Sequence, residues 1–319
     1  MSQRLIFGIY PGSGVGIDPG SGPVTGPADD ARQITTALDR LASGEETFLV
    51  RGYMHFTGGE TPANLTPADM RQYVRGQRKL DLALCYRSAR GEIEPWASFI
   101  RRILPEYGPF LAKLQITEEP NNPDTASGGD GSSPNIHRAI TSGVLAAKDE
   151  AKRLGLAIQV GFNATPSFDP ENAFWKKLAE QAEMPAVLGA LDYVGLDFFP
   201  DVFHPLPPGL GLAEAVRAVL AHYRRANLAA ANIPPEIPIH ITENGWPTGP
   251  NRSPARQAEV LTEVLDAVAA VSSELNVTHY EYFDLRDADS SAQGLNFGLL
   301  YDDYTPKPAF DVFRSRVRG

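Results

Sequence analysis

Eight short, β-rich apolar runs alternate with helix-period segments along almost the whole chain, and few folds accept that pattern. The runs are LIFGIY (5–10), FLVRGYM (48–54), LDLALCY (80–86), LAKLQIT (111–117), AIQVGF (157–162), YVGLDFF (193–199), IPIHIT (237–242) and YEYFDL (280–285). Short apolar runs separated by helical crossovers read as parallel strands covered by helices. The first four are followed by the amphipathic stretches PADDARQITTALDRLA, TPADMRQYVRGQ, EIEPWASFIRRIL and SPNIHRAITSGVLAAKDEAKRLG, each with a helix-start signal. ENAFWKKLAEQA, LAEAVRAVLAHYRRA, SPARQAEVLTEVLDAVAAV and PAFDVFRSRV follow the others. Eight strands each followed by a helix predict an α/β chain folded as a (β/α)8 TIM barrel, with residues 1–319 forming one domain.

An open, doubly wound sheet uses the same alternation, but no strand here runs into a phosphate-type glycine fingerprint that opens a helix. The glycine-rich segment 11–27 precedes its helix by many residues and reads as a rim loop, as does the loop at 120–135. Both follow strand C-terminal ends, the face on which barrels place their sites.

Composition narrows the function. A formal net charge of -10, with no basic cluster, argues against a nucleic-acid partner. The N-terminal apolar stretch is too short for a signal sequence or membrane span, which predicts a cytoplasmic protein without a membrane partner. The single cysteine, Cys85, forbids an intrachain disulfide and sits in an apolar run as a small buried hydrophobe. No cofactor or metal is called for, and the sequence leaves the oligomeric state open.

Acidic residues at strand C-terminal ends carry the chemistry, because side chains there converge on the barrel mouth. Glu118 and Glu119 follow strand four in ITEEPNNP, and Glu243 follows strand seven in HITENGWP. Cleaving a glycosidic bond needs a proton donor for a poor leaving group and a carboxylate at the anomeric carbon, and two glutamates supply both.

At these residues the chain resembles the large clan of retaining (β/α)8 glycosidases, whose acid/base stands on strand four in an Asn-Glu-Pro pattern. The clan's nucleophile stands on strand seven, commonly in Thr/Ser-Glu-Asn/Thr/Ser-Gly-Trp, which TENGWP (242–247) matches. YFDLRD (282–287) and FGLLYDDYTPKPAF (297–310) resemble the clan's last strand and closing segment. The resemblance implies a glycoside hydrolase acting on a carbohydrate or glycoside substrate, with Glu119 as acid/base and Glu243 as nucleophile. It also implies that Arg51 holds the Glu243 carboxylate ionised and that Trp246 offers a sugar-stacking face. Asn163, Asp197, His240, Asp284 and Arg286, at or near strand ends, complete the expected substrate-binding set with Glu118.

Two positions depart from the pattern. Glu118 replaces the asparagine that contacts the sugar 2-hydroxyl in the clan, and an ionised glutamate there suits a hydroxyl donor or a cationic amino group. Phe199 stands where many members place a tyrosine that donates to the nucleophile, leaving that contact to Tyr282, Tyr86 or another donor. Two other readings use the same residues. One is a carbohydrate-binding barrel that has lost catalysis. The other is a metal-dependent lyase or isomerase holding an ion with Glu118, Glu119, His240, Glu243 and Asp284, against which Arg51 and Arg286 speak.

Overall fold

The computed structural model describes residues 4–13, 17–18, 22–23, 26–42, 44, 46–292 and 296–319. Much of the predicted glycine-rich rim loop therefore lies outside the described residues. Among them, eight parallel strands form a ring: β1 (Ile6–Ile9), β2 (Phe48–Phe56), β3 (Arg78–Tyr86), β4 (Leu111–Ile116), β5 (Gln159–Ala164), β6 (Tyr193–Asp197), β7 (Ile239–Asn244) and β8 (Val277–Tyr282). β1 pairs with β8 through Ile6 and His279 and with β2 through Phe7 and Phe48, which closes the barrel.

The helices are α1 (Ala31–Leu41), α2 (Ile93–Tyr107), α3 (Ile136–Leu154), α4 (Ala173–Ala179), α5 (Met184–Ala190), α6 (Leu212–His222), α7 (Pro254–Leu275) and α8 (Pro308–Arg318). Local chemistry explains their ends. Asp30 caps α1 by accepting from the Arg32 and Gln33 N–H groups, and Ser253 caps α7 just ahead of Pro254.

Two predicted helices differ. The stretch after β2 gives only a 3-10 turn at Met70–Tyr73, because Asn64–Thr66 pairs antiparallel with Tyr53–His55. β1 covers β2 only from Phe48 to Val50, so the upper half of β2 is an edge that this segment closes. Pro67 follows it directly, and little chain remains for a helix before Arg78. After β5 the predicted helix at 171–182 forms as the shorter α4, and a second helix that was not predicted, α5, follows it with Pro185 in its first turn.

Strand alternation separates two environments. In β3, Leu80, Leu82 and Leu84 face the hydrophobic layer under the helices, whereas Asp81, Ala83 and Cys85 belong to the barrel interior. That interior is polar. Lys113 of β4 reaches across it to Asp81 at 3.1 Å and Glu281 of β8 at 2.6 Å, so each buried charge has a partner. This network is the floor on which the site rests.

Candidate active site

The end of β4 leaves the strand through unusual backbone. Thr117 and Glu119 have φ of 65° and 39°. A left-handed conformation is uncommon for any side chain and strained for a β-branched one, at about 1–3 kcal/mol per residue. Partners hold it in place. The buried Asp130 carboxylate accepts the N–H of Glu118 at 2.8 Å and of Tyr86 at 2.6 Å, tying the 120–135 loop to β3 and β4. Asn163 Oδ1 accepts the Glu119 N–H at 2.8 Å. With the chain so turned, Glu118 and Glu119 both meet the central carboxylate cluster instead of facing opposite sides of a strand.

Arg51, on β2 and 1% exposed, is the cation of the site. Its guanidinium donates to Asp81 at 2.8 Å, to Gln115 at 3.1 Å and to Glu118 at 3.1 Å, and its Nε lies 3.5 Å from Glu243. Tyr53, two residues along the same strand face, accepts from Arg51 Nε at 2.9 Å and donates its hydroxyl to Glu243 Oε1. The nucleophile candidate therefore has a tyrosine donor, supplied by β2 instead of β6. Tyr282 and Tyr86 lie instead in the hydrophobic layer outside the strands. The period of two that places Tyr53 beside Arg51 was the available sequence signal for it.

Glu118 is used up inside the protein. Its Oε2 accepts from Arg51 and from Gln115 Nε2 at 2.5 Å, and its Oε1 accepts from Asn163 at 3.2 Å. Asn163 also donates to Asp197, whose other oxygen accepts from Thr242 at 2.5 Å. Gly195 leaves room for this layer, since a Cβ there would lie 2.7 Å from both Asn163 Cβ and Thr242 Oγ1. Glu119 is bound more lightly: Asn122 Nδ2 donates to its Oε2 at 2.7 Å. Asn122 sits three residues beyond Glu119 in the loop that Asp130 fixes.

The electrostatics follow from four acids around one guanidinium. Burial, then the charges of Glu118 and Glu243, push Glu119 well above the usual carboxylate range. Burial and Glu118 raise Glu243 to about 8, against the pull of Arg51 and Tyr53. Asp197 is raised by burial and by its neighbours Glu243 and Glu118. Among the described residues Glu119 accepts from the Asn122 amide and feels Arg51 only as a weaker influence, whereas Glu243 accepts from the Tyr53 phenol with the Arg51 guanidinium at 3.5 Å, so Glu243 ionises more readily than Glu119.

Arg51, Glu118, Glu119, Asn163, Asp197 and Glu243 are thus brought together, and three other expected residues, His240, Trp246 and Arg286, are not. His240 is fully buried in the barrel interior, its ring stacked on Tyr193 at 4.2 Å and 3.6 Å from His279. One pleat below Thr242, it lies in the floor and not at the mouth. Trp246 is 6% exposed and packs into the hydrophobic core, with the Arg252 guanidinium 4.6 Å over its ring, so no face is open to a sugar. Arg286 is a brace: it donates to Asp29, the Pro27 carbonyl and the Asp302 carbonyl, joining loops beside β8. Asp284 is buried, its charge acts on Tyr10, the ring neighbour of Tyr53, and its backbone carbonyl accepts from the Leu299 N–H.

Oxygens of Glu118, Asp197 and Glu243 lie within 4.8 Å of one another, close enough to share a metal ion. The donor set does not favour one. Arg51 already supplies the positive charge to two of the three, Asn163 and Thr242 occupy the third, and His240 lies a layer away.

No protein-family model matches the sequence, and no curated protein sequence matches it. Solved structures do match the fold. A β-glucosidase from Exiguobacterium marinum superposes with a TM-score of 0.65 at 12% identity, over 98% of this chain and 97% of that one. The GH1 β-glucosidase from Exiguobacterium antarcticum B7 gives 0.64 at 12% identity, over 100% and 98%. A β-glucuronidase from Ruminococcus gnavus, in complex with D-glucuronic acid, gives 0.63 at 12% identity over 99% of this chain and 49% of that one, so the chain spans about half its length. This chain therefore has the (β/α)8 barrel fold on which those glycosidases are built.

Proposed function

We propose that this barrel is a retaining glycoside hydrolase with Glu243 as nucleophile and Glu119 as acid/base. One observation carries the reading: two glutamates from β4 and β7 share one mouth but have opposite partners. Glu243 faces Arg51 and Tyr53, which stabilise its anion, and Glu119 faces like charges, which keep it protonated. In the first step a Glu243 oxygen bonds to the anomeric carbon as the glycosidic C–O bond breaks, and the Glu119 proton moves to the departing oxygen. In the second, water attacks that carbon, Glu119 takes its proton, and the bond to Glu243 breaks. The barrels that superpose on this one are named as β-glucosidases and β-glucuronidases, which supports the same reaction class.

Expected results are specific. Glu243→Ala abolishes turnover while the far-UV spectrum is unchanged. Glu119→Ala slows substrates with basic leaving groups by about 10²–10⁴-fold, spares activated aryl glycosides, and regains rate with azide. Proton NMR finds the substrate's anomeric configuration in the product. A folded Glu243→Ala protein that still turns over, or an inverted product, would refute the assignment.

A further inference from the structure

Two phenylalanines flank the end of the strand that carries Glu243. The Phe198 N–H donates to the Glu243 carbonyl at 3.1 Å, which sets Phe199 on one side, and the Phe283 N–H donates to the Asn244 carbonyl at 2.8 Å, which sets Phe283 on the other. Their rings meet at 6.3 Å, nearly perpendicular, with Phe297 packed behind both. Phe283 stacks on Tyr10 at 5.5 Å, and Tyr10 lies 5.3 Å from Tyr53, the donor to Glu243. In the other direction Phe199 holds Phe203 at 5.5 Å, and Phe203 is 52% exposed. A continuous row of rings thus runs from the nucleophile's hydrogen-bond donor to solvent.

The opposite side of the mouth is different. There Asn121, Asn122 and Asn163 surround Glu119 and its loop. Among the described residues only Phe168 and Phe203 are large exposed hydrophobics, and the Phe168 ring lies on His222 of α6. Tyr53 supplies the phenol hydrogen bond to Glu243, so position 199 needs no hydroxyl, and the Phe199 ring packs on Phe203. An open aromatic at the rim, continuous with the reacting carboxylate, matches a ligand that presents a flat apolar face, as pyranose and aryl rings do.

We propose that Phe199 and Phe203 form a subsite for a flat apolar ring carried by the substrate beyond the sugar at Glu119 and Glu243. The subsite rests on the glycosidase reading and extends it: the preferred substrate is longer than a simple glycoside, its extra ring being either a further sugar or an aryl group. The two sources share the same recognition chemistry, and the test separates them.

kcat/KM is measured for laminari- and cello-oligosaccharides of increasing length and for aryl against methyl β-glucosides, with wild type, Phe203→Ala and Phe168→Ala. The ratio of long or aryl substrate to the shortest one falls about three- to tenfold in Phe203→Ala, and Phe168→Ala keeps the wild-type ratio. A fall confined to oligosaccharides identifies a sugar subsite, and a fall confined to aryl glucosides identifies an aryl subsite. An unchanged ratio in both series overturns the proposal. If the wild type hydrolyses none of these compounds, the same ligands are titrated calorimetrically. Weaker binding to Phe203→Ala then supports the subsite while the hydrolytic reading fails, and equal or absent binding overturns the subsite too.

Discussion

Tyr53 of β2 donates its hydroxyl to the carboxylate of Glu243 on β7, and the same hydroxyl accepts from Arg51. One phenol thus links the Arg51 guanidinium to the nucleophile candidate and does so from a strand other than the one the glycosidase pattern uses. Removing the hydroxyl in Tyr53→Phe deletes a bond to an ionised group, about 1.5–3 kcal/mol. We expect kcat to drop about 10- to 100-fold. The sign of the pH effect is fixed: Tyr53 lowers the Glu243 pKa and activity requires the anion, so the acidic limb of the kcat/KM profile moves to higher pH. A fall in rate with no movement of that limb would mean that Tyr53 only packs.

Glu118 raises both Glu119 and Glu243, so Glu118→Gln should move both limbs of the profile toward acid. Its two oxygens already accept from Arg51, Gln115 and Asn163. The relative kcat/KM for 2-hydroxy and 2-amino glycosides is therefore expected to stay the same. A changed preference would show that Glu118 reads the sugar after all.

Asn122 acts on the acid/base in the opposite sense. Its amide donates to Glu119, which favours the anion against the charges of Glu118, Glu243 and Asp197, with Arg51 helping at longer range. In Asn122→Ala the Glu119 pKa rises further and the alkaline limb moves up. The deglycosylation step, in which Glu119 serves as base, is slowed by poorer placement of the carboxylate. Stopped-flow bursts on an activated aryl glycoside separate this from a loss of binding.

Arg286 distinguishes a brace from a substrate contact. Arg286→Met removes the Arg286 donor to the Pro27 and Asp302 carbonyls and the cation beside the partly exposed Asp29, which keeps the Ser13 N–H. A loss of about 2–3 kcal/mol is expected, measured as the shift of a denaturant midpoint. The folded variant keeps its KM within about twofold, and a large KM change at unchanged stability would restore Arg286 to the binding set.

Much of this was legible in the chain. The eight runs and their crossovers state the barrel, because side-chain period is a local property that an apolar strand or an amphipathic helix shows on its own. Glu119 and Glu243 were visible for the same reason, each standing at the end of such a run. Even Tyr53, by its spacing from Arg51, and Lys113 with Gln115, as polar positions alternating inside LAKLQIT, were written in the sequence as inward-facing residues.

What those residues meet was decided only by tertiary structure. Contacts such as Tyr53 with Glu243 or Lys113 with Glu281 join strands far apart in the chain, and they depend on the register and closure of the whole ring. The same closure put His240 in the floor, Trp246 in the core and Arg286 among loops, though each stood near a strand end as the residues of the carboxylate cluster do. It also gave Asn64–Thr66 to the open edge of β2 and so removed a predicted helix, since an unpaired strand edge outweighs a local helical preference. Sequence period fixes which face a side chain takes, and only the closed barrel fixes the depth at which it sits and the partner it finds.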